Sequence, residues 1–233
     1  FFFHPHAGIP DPLWSRGLGD VYKRQNQEII LWGSGTARTF RPIWMAEELG
    51  LSYVLKPIGP RTGETQTKEF TSLNRKQKIP LMQIGEFHLS ESLAICKYLQ
   101  RAFPSKRLFI PNTDAQLAKE DEWCCFILGE IDETSLYVMR RHYDLKEIYG
   151  GSKTVTNACR DYLKRQFEVI EEYLEDKNYI MKEGFGICDI FLISCLDWAI
   201  FYDFALTENI TKYRDYIINR PAYSKAMDIN YST

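Results

Sequence analysis

The stretch from Lys78 to Leu99 constrains the fold more than any other part of this 233-residue chain. It reads Lys-Ile-Pro-Leu-Met-Gln-Ile-Gly-Glu-Phe-His-Leu-Ser-Glu-Ser-Leu-Ala-Ile-Cys-Lys-Tyr-Leu: a strand, a tight turn, a second strand, and a helix opening on Ser90-Glu91-Ser92. Pro80 takes a strand's first position, where its missing N–H is tolerated. Gly85-Glu86 supplies the hairpin turn. Two hydroxyls and a carboxylate at a helix start leave free backbone N–H groups aimed outward, which suits an anionic ligand.

The chain around this stretch divides into two textures. From Glu28 to about Arg101, β-like and helical runs alternate. Ile29-Ile30-Leu31-Trp32 is a compact apolar strand ended by Gly33-Ser34-Gly35. Thr39 to Leu49 has helical spacing and is closed by Gly50 as a C-cap. Ser52 to Lys56 reads as a strand, and Thr65 to Leu73 as a weak polar helix. This βαβ order followed by αββα, with a proline opening the third strand, is the thioredoxin-like pattern. From Asp114 onward strand signals vanish. Asp114 to about His142 reads as one long helix, and Val155 to Leu174 as another. Ile187 to about Phe204 is apolar nearly all round, so it is expected to be the central buried helix. Lys212 to Ile218 and a piece after Pro221 complete an all-α half. The expected organisation is thus a thioredoxin-like domain over residues 27–103, a linker over 104–113 and an α-helical domain over 114–233.

Residues 1–26 stand apart. They carry Pro5, Pro10 and Pro12, have no usable period, and lack the basic and apolar regions of a secretory signal. Ser15 to Gln25 resembles a run produced by adaptor read-through in translated environmental sequence. The expectation is a non-native or disordered extension.

Composition narrows the function classes. A formal net charge of −2 gives no electrostatic reason to expect nucleic acid or an anionic membrane as partner. No apolar run is long enough for a transmembrane helix. Six cysteines occur without a C-x-x-C or a paired ligand spacing, so no metal site is expected. Most lie among apolar helical neighbours as small buried hydrophobes, which points to a reducing compartment such as the cytoplasm.

The run from Lys78 to Leu99 resembles the glutathione-binding edge of the cytosolic glutathione S-transferases. Asn74-Arg75-Lys76-Gln77-Lys78-Ile79-Pro80 is similar to the family's Asn-Pro-x-x-Lys-Val/Ile-Pro, with Arg75 where proline is usual. The resemblance implies a cis bond before Pro80 and a tripeptide held by Lys78, Ile79, Pro80, Glu91 and Ser92, with glutathione as co-substrate. It also implies a hydroxyl between the first strand and helix that hydrogen-bonds the glutathione sulfur. Counting back from Glu47-Glu48-Leu49-Gly50 sets Thr36 at the position of the serine in serine-type classes, with Ser34 the runner-up. A second reading leaves Thr36 and Thr39 as helix caps only. Arg38 either adds positive charge near the thiolate or is solvated, and Arg41 is expected in an ion pair at a helix or domain boundary. The loop has no cysteine, which disfavours mixed-disulfide chemistry. Gly186-Ile187-Cys188-Asp189 is similar to the family's capping motif, which gives Asp189 a structural role.

The implied activity is conjugation of glutathione to small electrophiles in detoxification, by a homodimer that binds neither nucleic acid nor membrane. A non-catalytic interaction or ligand-carrier protein on the same fold, or a glutathione-dependent isomerase, are the alternatives. The second substrate is expected between the halves, where Trp123, Phe126, Tyr137, Trp198 and Tyr202 are candidate lining residues, although aromatics at helical spacing more often belong to a core.

Overall fold

Among the described residues, four short strands form one sheet in the order β2-β1-β3-β4. The computed structural model describes residues 28–232, so the run 1–26 discussed above lies outside the described residues. β1 (Ile29–Trp32) pairs in parallel with β2 (Tyr53–Lys56) and antiparallel with β3 (Leu81–Ile84), and β3 pairs antiparallel with β4 (Phe87–Ser90). The parallel pair needs a crossover, supplied by α1 (Ala37–Leu49). A 3-10 turn (Glu64–Gln66) and α2 (Lys68–Leu73) lead to β3, and α3 (Ser92–Ala102) follows β4. This is the thioredoxin-like domain expected from the sequence.

Alternation along the strands fills two apolar layers. Ile29, Leu31, Met82 and Ile84 join the main core beneath α1 and α3. Trp32 and Leu81 point the other way and meet Phe70 of α2, the two rings 5.8 Å apart edge to face.

Between Asp114 and Tyr231 the described residues form helices and their connections. α4 (Asp114–Phe126) runs into a π-helical stretch (Ile127–Tyr137) and on into α5 (Val138–His142). α6 (Lys146–Tyr149), α7 (Lys153–Tyr173), α8 (Ile187–Phe201), α9 (Glu208–Ile218) and α10 (Pro221–Tyr231) complete it. Among the described residues no helix is long and apolar enough to cross a membrane. The apolar segment read as central is α8, buried along nearly its whole length. Its Asp189 accepts from the backbone N–H of Gly186 and Ile180 and from the Tyr213 hydroxyl, each at 2.8 Å. Burial pushes this carboxyl up to about 6, partly offset by those three donors. Its structural role is therefore clear.

Several boundaries differ from the sequence reading for local reasons. α1 starts at Ala37 rather than Thr39, because Thr36 takes the cap and accepts from Thr39 N–H at 3.0 Å. The segment Thr65–Leu73 breaks in two where Thr67 caps α2 by accepting from Phe70 N–H at 3.2 Å. Ser90 ends β4, and α3 opens at Ser92 instead.

α1 joins the two domains. Its Trp44, fully buried, lies 5.6 Å from the Phe185 ring and 5.1 Å from Tyr223, so one apolar core runs from the sheet into the helical domain. The polar counterpart of this contact is Asp132, in the middle of the π-helical stretch and fully buried. One carboxylate oxygen lies 2.5 Å from Arg38 Nη2 and the other 2.6 Å from Arg41 Nη2. Arg41 is itself fully buried, donates from Nε to Ser194 Oγ at 2.7 Å, and sits 4.5 Å over the Phe191 ring. The expected boundary role of Arg41 is what the structure shows. In this stretch the Thr134 and Ser135 hydroxyls donate to the carbonyls of Gly129 and Glu130, five residues back.

Burial alone would raise the Asp132 carboxyl, but Arg41 and Arg38 more than offset it and hold the group below its usual range. Removing one partner of a buried ion pair strands the other charge, at a cost of about 3–5 kcal/mol. Urea unfolding at pH 7 should therefore show Asp132→Ala less stable by about that amount. The folded-state pKa lies below the unfolded value of about 3.9, so the contribution is complete above that value and is lost as pH falls through the folded pKa. The gap between wild type and variant should accordingly narrow in acid. A gap that stays constant from neutral to strongly acidic pH would rule out an ionised Asp132 as its cause.

Candidate active site

One row of the sheet gathers the residues singled out in the sequence. Trp32 at the end of β1 stands opposite Leu81 at the start of β3, and Leu81 stands opposite Ser90 at the end of β4. The segments next to that row are therefore neighbours: the loop from Gly33 to Thr36, the Ile79–Pro80 turn, and the Glu91–Ser92 helix start. Gly33 is needed for this closeness. It adopts φ +109°, and a Cβ there would lie 2.6 Å from Ile79 Cβ.

Ile79–Pro80 is a cis peptide bond, and Pro80 is buried. Asn74 fixes the preceding loop, donating from Nδ2 to the Lys78 carbonyl at 2.8 Å and accepting from Lys76 N–H at 3.1 Å. The backbone N–H and C=O of Ile79 have no hydrogen-bond partner among the described residues. A backbone donor and acceptor side by side at a sheet end can pair with an extended peptide as a strand would.

Glu91 caps α3 in a backbone conformation that side-chain-bearing residues rarely adopt, φ +74° and ψ +120°. No side chain caps this helix, so its first N–H groups remain open to an incoming anion. The Glu91 carboxylate is exposed and meets Lys76 Nζ at 2.6 Å, while Ser92 is buried. An ion pair this exposed is worth little and exchanges readily with another cation.

Thr36 is half-buried and fully engaged by its surroundings. Beyond accepting from Thr39 N–H, its hydroxyl lies 3.0 Å from the Thr39 hydroxyl. Asn230 of α10, buried and distant in sequence, ties down the same loop. It accepts from Gly35 N–H through its carbonyl at 2.8 Å and from Thr39 Oγ1 through Oδ1 at 2.8 Å, and donates from Nδ2 to the Thr36 carbonyl at 3.1 Å. Capping uses a lone pair of the Thr36 oxygen, not its proton. Because Thr39 gives its own proton to Asn230, the contact between the two hydroxyls takes the Thr36 proton, which must turn from Thr39 to reach a ligand. Ser34 is buried, and its hydroxyl has no hydrogen-bond partner among the described residues.

One candidate sits differently from expectation. Arg38 is neither solvated nor held free beside the loop: it is turned to the helical domain, paired with Asp132, 3.4 Å from Glu133, and 4.2 Å over the Tyr137 ring. Lys78 is exposed, and its charge reaches Tyr137 as well. Burial alone would raise the Tyr137 phenol, but a hydrogen bond from Arg141 and the charges of Lys78 and Arg38 bring it below its ordinary value. Of the five aromatic lining candidates, Tyr137 is the one these contacts place at the domain junction. Trp123 is instead core, 5.7 Å from Phe126 and 4.3 Å from Tyr173, and Tyr202 is buried with its hydroxyl donating to Asp144. A cavity of about 390 Å³ within the helical domain, lined by His142, Lys153, Arg160 and Tyr202, includes none of the sheet-edge residues. Among the described residues no cluster of His, Cys, Asp and Glu could hold a metal ion.

Comparison with known proteins agrees with this geometry. The family model for the glutathione S-transferase N-terminal domain matches residues 27–101, and that for the C-terminal domain matches residues 126–221. Glutathione S-transferase GstA of Escherichia coli O157:H7 is 26% identical over 68% of this chain and 77% of its own length. Glutathione S-transferase A of Pleuronectes platessa is 25% identical over 83% of this chain and 88% of its own. Among solved structures, a glutathione transferase of Phanerochaete chrysosporium in complex with oxidized glutathione superposes with a TM-score of 0.78 at 17% identity, covering 89% of this chain and 98% of that one. Two domain models matched in order across most of the fold leave one assignment, and the chain belongs to the glutathione S-transferase family.

Proposed function

We propose that this protein binds glutathione along the sheet edge at Ile79 and joins its sulfur to small electrophilic molecules. The observation that carries the reading is the unpaired backbone of Ile79 beside the open α3 start and the Thr36 loop. In this reading Ile79 and Pro80 hold the cysteinyl backbone and Lys78 the glycyl carboxylate. Glu91 takes the α-ammonium of the γ-glutamyl group in place of Lys76, and Ser92 with the α3 N–H groups takes its α-carboxylate. The relatives named glutathione S-transferases support the same activity.

Thr36 is assigned as the thiol donor. A free thiol has a pKa of about 8.5, so only a small fraction is thiolate at neutral pH. A hydroxyl donating to sulfur favours the ionised form. The thiol proton passes to solvent, the thiolate pair forms the new C–S bond, and a leaving group departs with the electron pair of its own bond. The free cysteines, all but Cys125 buried, suit the cytoplasm. We further assign a homodimer, with the edge strand β4 and its exposed Phe87, 5.1 Å from Tyr98, meeting the helical domain of a second copy.

Three outcomes are expected. Thr36→Ala should lower turnover by about 10–100-fold, the worth of one hydrogen bond to a charged group, and should shift the pH–rate profile toward alkaline pH. Thr36→Ser, which keeps both cap and donor, should retain activity, separating this role from loss of the helix cap. If Ser34→Ala abolishes turnover while Thr36→Ala does not, the donor is Ser34; if a correctly folded wild type binds glutathione but conjugates nothing, the carrier alternative stands. Glu91→Ala should weaken glutathione binding about 10-fold or more with an unchanged melting curve, as calorimetry would report; unaltered affinity removes Glu91 from the site. Light scattering at micromolar concentration should give the mass of two chains, and a single-chain mass would exclude the dimer.

A further inference from the structure

Positive charge gathers where the two domains meet around Tyr137. Arg38, Arg61 and Lys78 come from the thioredoxin-like side, and Arg140 and Arg141 from the end of the long helix facing it. Tyr137 is their meeting point: the guanidinium carbons of Arg38 and Arg141 lie 4.2 and 4.8 Å from its ring centroid. Arg141 also lies 5.4 Å from the Tyr149 ring. Burial and the charge of Arg61 across the cleft both make the Arg140 cation harder to hold.

Fewer anions than cations lie in the vicinity. Asp132 is shared between Arg38 and Arg41, Glu133 faces Arg38, and Asp144, which accepts from the Tyr202 hydroxyl, favours the Arg140 charge without forming an ion pair with it. Arg61, Lys78, Arg140 and Arg141 have no ion pair among the described residues. The chain as a whole carries −2, so this is a local excess and not a reflection of overall basicity. Like charges that outnumber their counterions repel, and an anionic ligand between them relieves the repulsion.

Position decides which ligand. Lys78 directly precedes Ile79, so it lies where the glycyl carboxylate of glutathione would reach. Arg140 and Arg141 belong to the other domain; Arg140 faces Arg61, and Arg141 meets through Tyr137 the guanidinium of Arg38, two residues after Thr36. We propose that the second substrate is a small electrophile bearing an anionic group, a carboxylate or sulfonate, bound by Arg141 and Arg140 with Tyr137 holding the Arg141 guanidinium in place. This rests on the glutathione-binding reading above. The reaction is unchanged: sulfur adds to the electrophilic carbon, the leaving group takes its bonding pair, and the anionic group stays on the product.

The test compares two product conjugates that differ in one charge, S-(4-carboxy-2-nitrophenyl)glutathione and its 4-carboxamide counterpart. Calorimetry with the wild-type protein should show the carboxylate conjugate binding about 10-fold tighter than the amide, equivalent to one tenfold step in Kd. In Arg141→Gln that preference should fall to near unity, whatever happens to the absolute affinities, because the ratio isolates the anionic group. Arg140→Gln should reduce it in part. A wild-type ratio of one, or a ratio unmoved in both variants, overturns the proposal. Glutathione alone is titrated in parallel. Glutathione that binds while the ratio is one defeats the anionic-substrate assignment alone, whereas glutathione that does not bind defeats the underlying site and this proposal with it. If Arg141→Gln instead abolishes glutathione binding with the conjugate ratio retained, the cluster serves the tripeptide and the proposal fails.

Discussion

Everything at the sheet edge depends on the first helix being held from both sides, and the buried carboxylate of Asp132 is the polar half of that hold. α1 has the sheet beneath it and the helical domain above it, so it is buried on nearly every face. Apolar contact supplies most of the energy through Phe40, Ile43, Trp44 and Met45, all essentially inaccessible to water. Apolar contact is non-directional, however, and does not fix the rotation of a helix that is apolar on several sides. Two guanidiniums on α1 that share one carboxylate do fix it, since Arg38 and Arg41 must both face Asp132. The π-helical stretch is where this requirement is met. It widens the long helix at the point where a carboxylate, rather than an apolar side chain, must reach α1.

With α1 fixed, the loop that precedes it has little freedom. Gly33 lets the chain lie against Ile79, Thr36 closes the helix, and Asn230 grips the loop through three hydrogen bonds. A cap and a thiol donor are often treated as competing uses of one threonine. They use different parts of the hydroxyl, the lone pair for the cap and the proton for Thr39 or, once it turns, for sulfur. Holding the oxygen by its lone pair reduces the entropy lost when the proton is later directed to a ligand, and the β-branch of threonine restricts the same rotor further. The proposed donor is preorganised by its structural duty.

Local signals carried most of the fold into view, and long-range ones did not. Pro80, the Gly85-Glu86 turn and the apolar runs of β1 and β3 are each legible within a few residues, and they place the sheet correctly. The Asp189 cap is legible for the same reason, as its partner Gly186 is three residues away. Thr36 as cap and Arg41 as a boundary ion-pair residue were also within reach of local reasoning. Asp132 was not, because its partners lie 94 residues or so earlier and nothing in Ile131-Asp132-Glu133 marks the acid as buried. Asn230 is farther still, 194 residues from Thr36, in a helix whose sequence signals only amphipathicity. The Arg38 ion pair is hidden for the same reason: without Asp132, its charge has no visible use in the sequence. Tyr137 and Arg141 stand four apart on one helix, a spacing that brings side chains together. Read with Arg140 beside it, that pair was the one signal for the charged side of the cleft.

The charge in that cleft bears on catalysis as well as on recognition. A thiolate and an anionic group on its electrophile repel each other. At about 6 Å and an effective dielectric of about 20, the penalty is on the order of 3 kcal/mol, enough to suppress reaction about a hundredfold. For a neutral electrophile unpaired guanidiniums there serve only the thiolate, whose ionised form they favour. A site for anionic electrophiles needs them twice over, once to hold the substrate and once to screen it from the sulfur. Arg38 cannot fill this part, as Asp132 already neutralises it and it works as an anchor. Arg141 can, because its contacts are aromatic faces and a phenol, which hold a guanidinium in place without cancelling its charge. Two arginines against one ring thus divide the labour, the paired one serving the fold and the unpaired one left for a ligand.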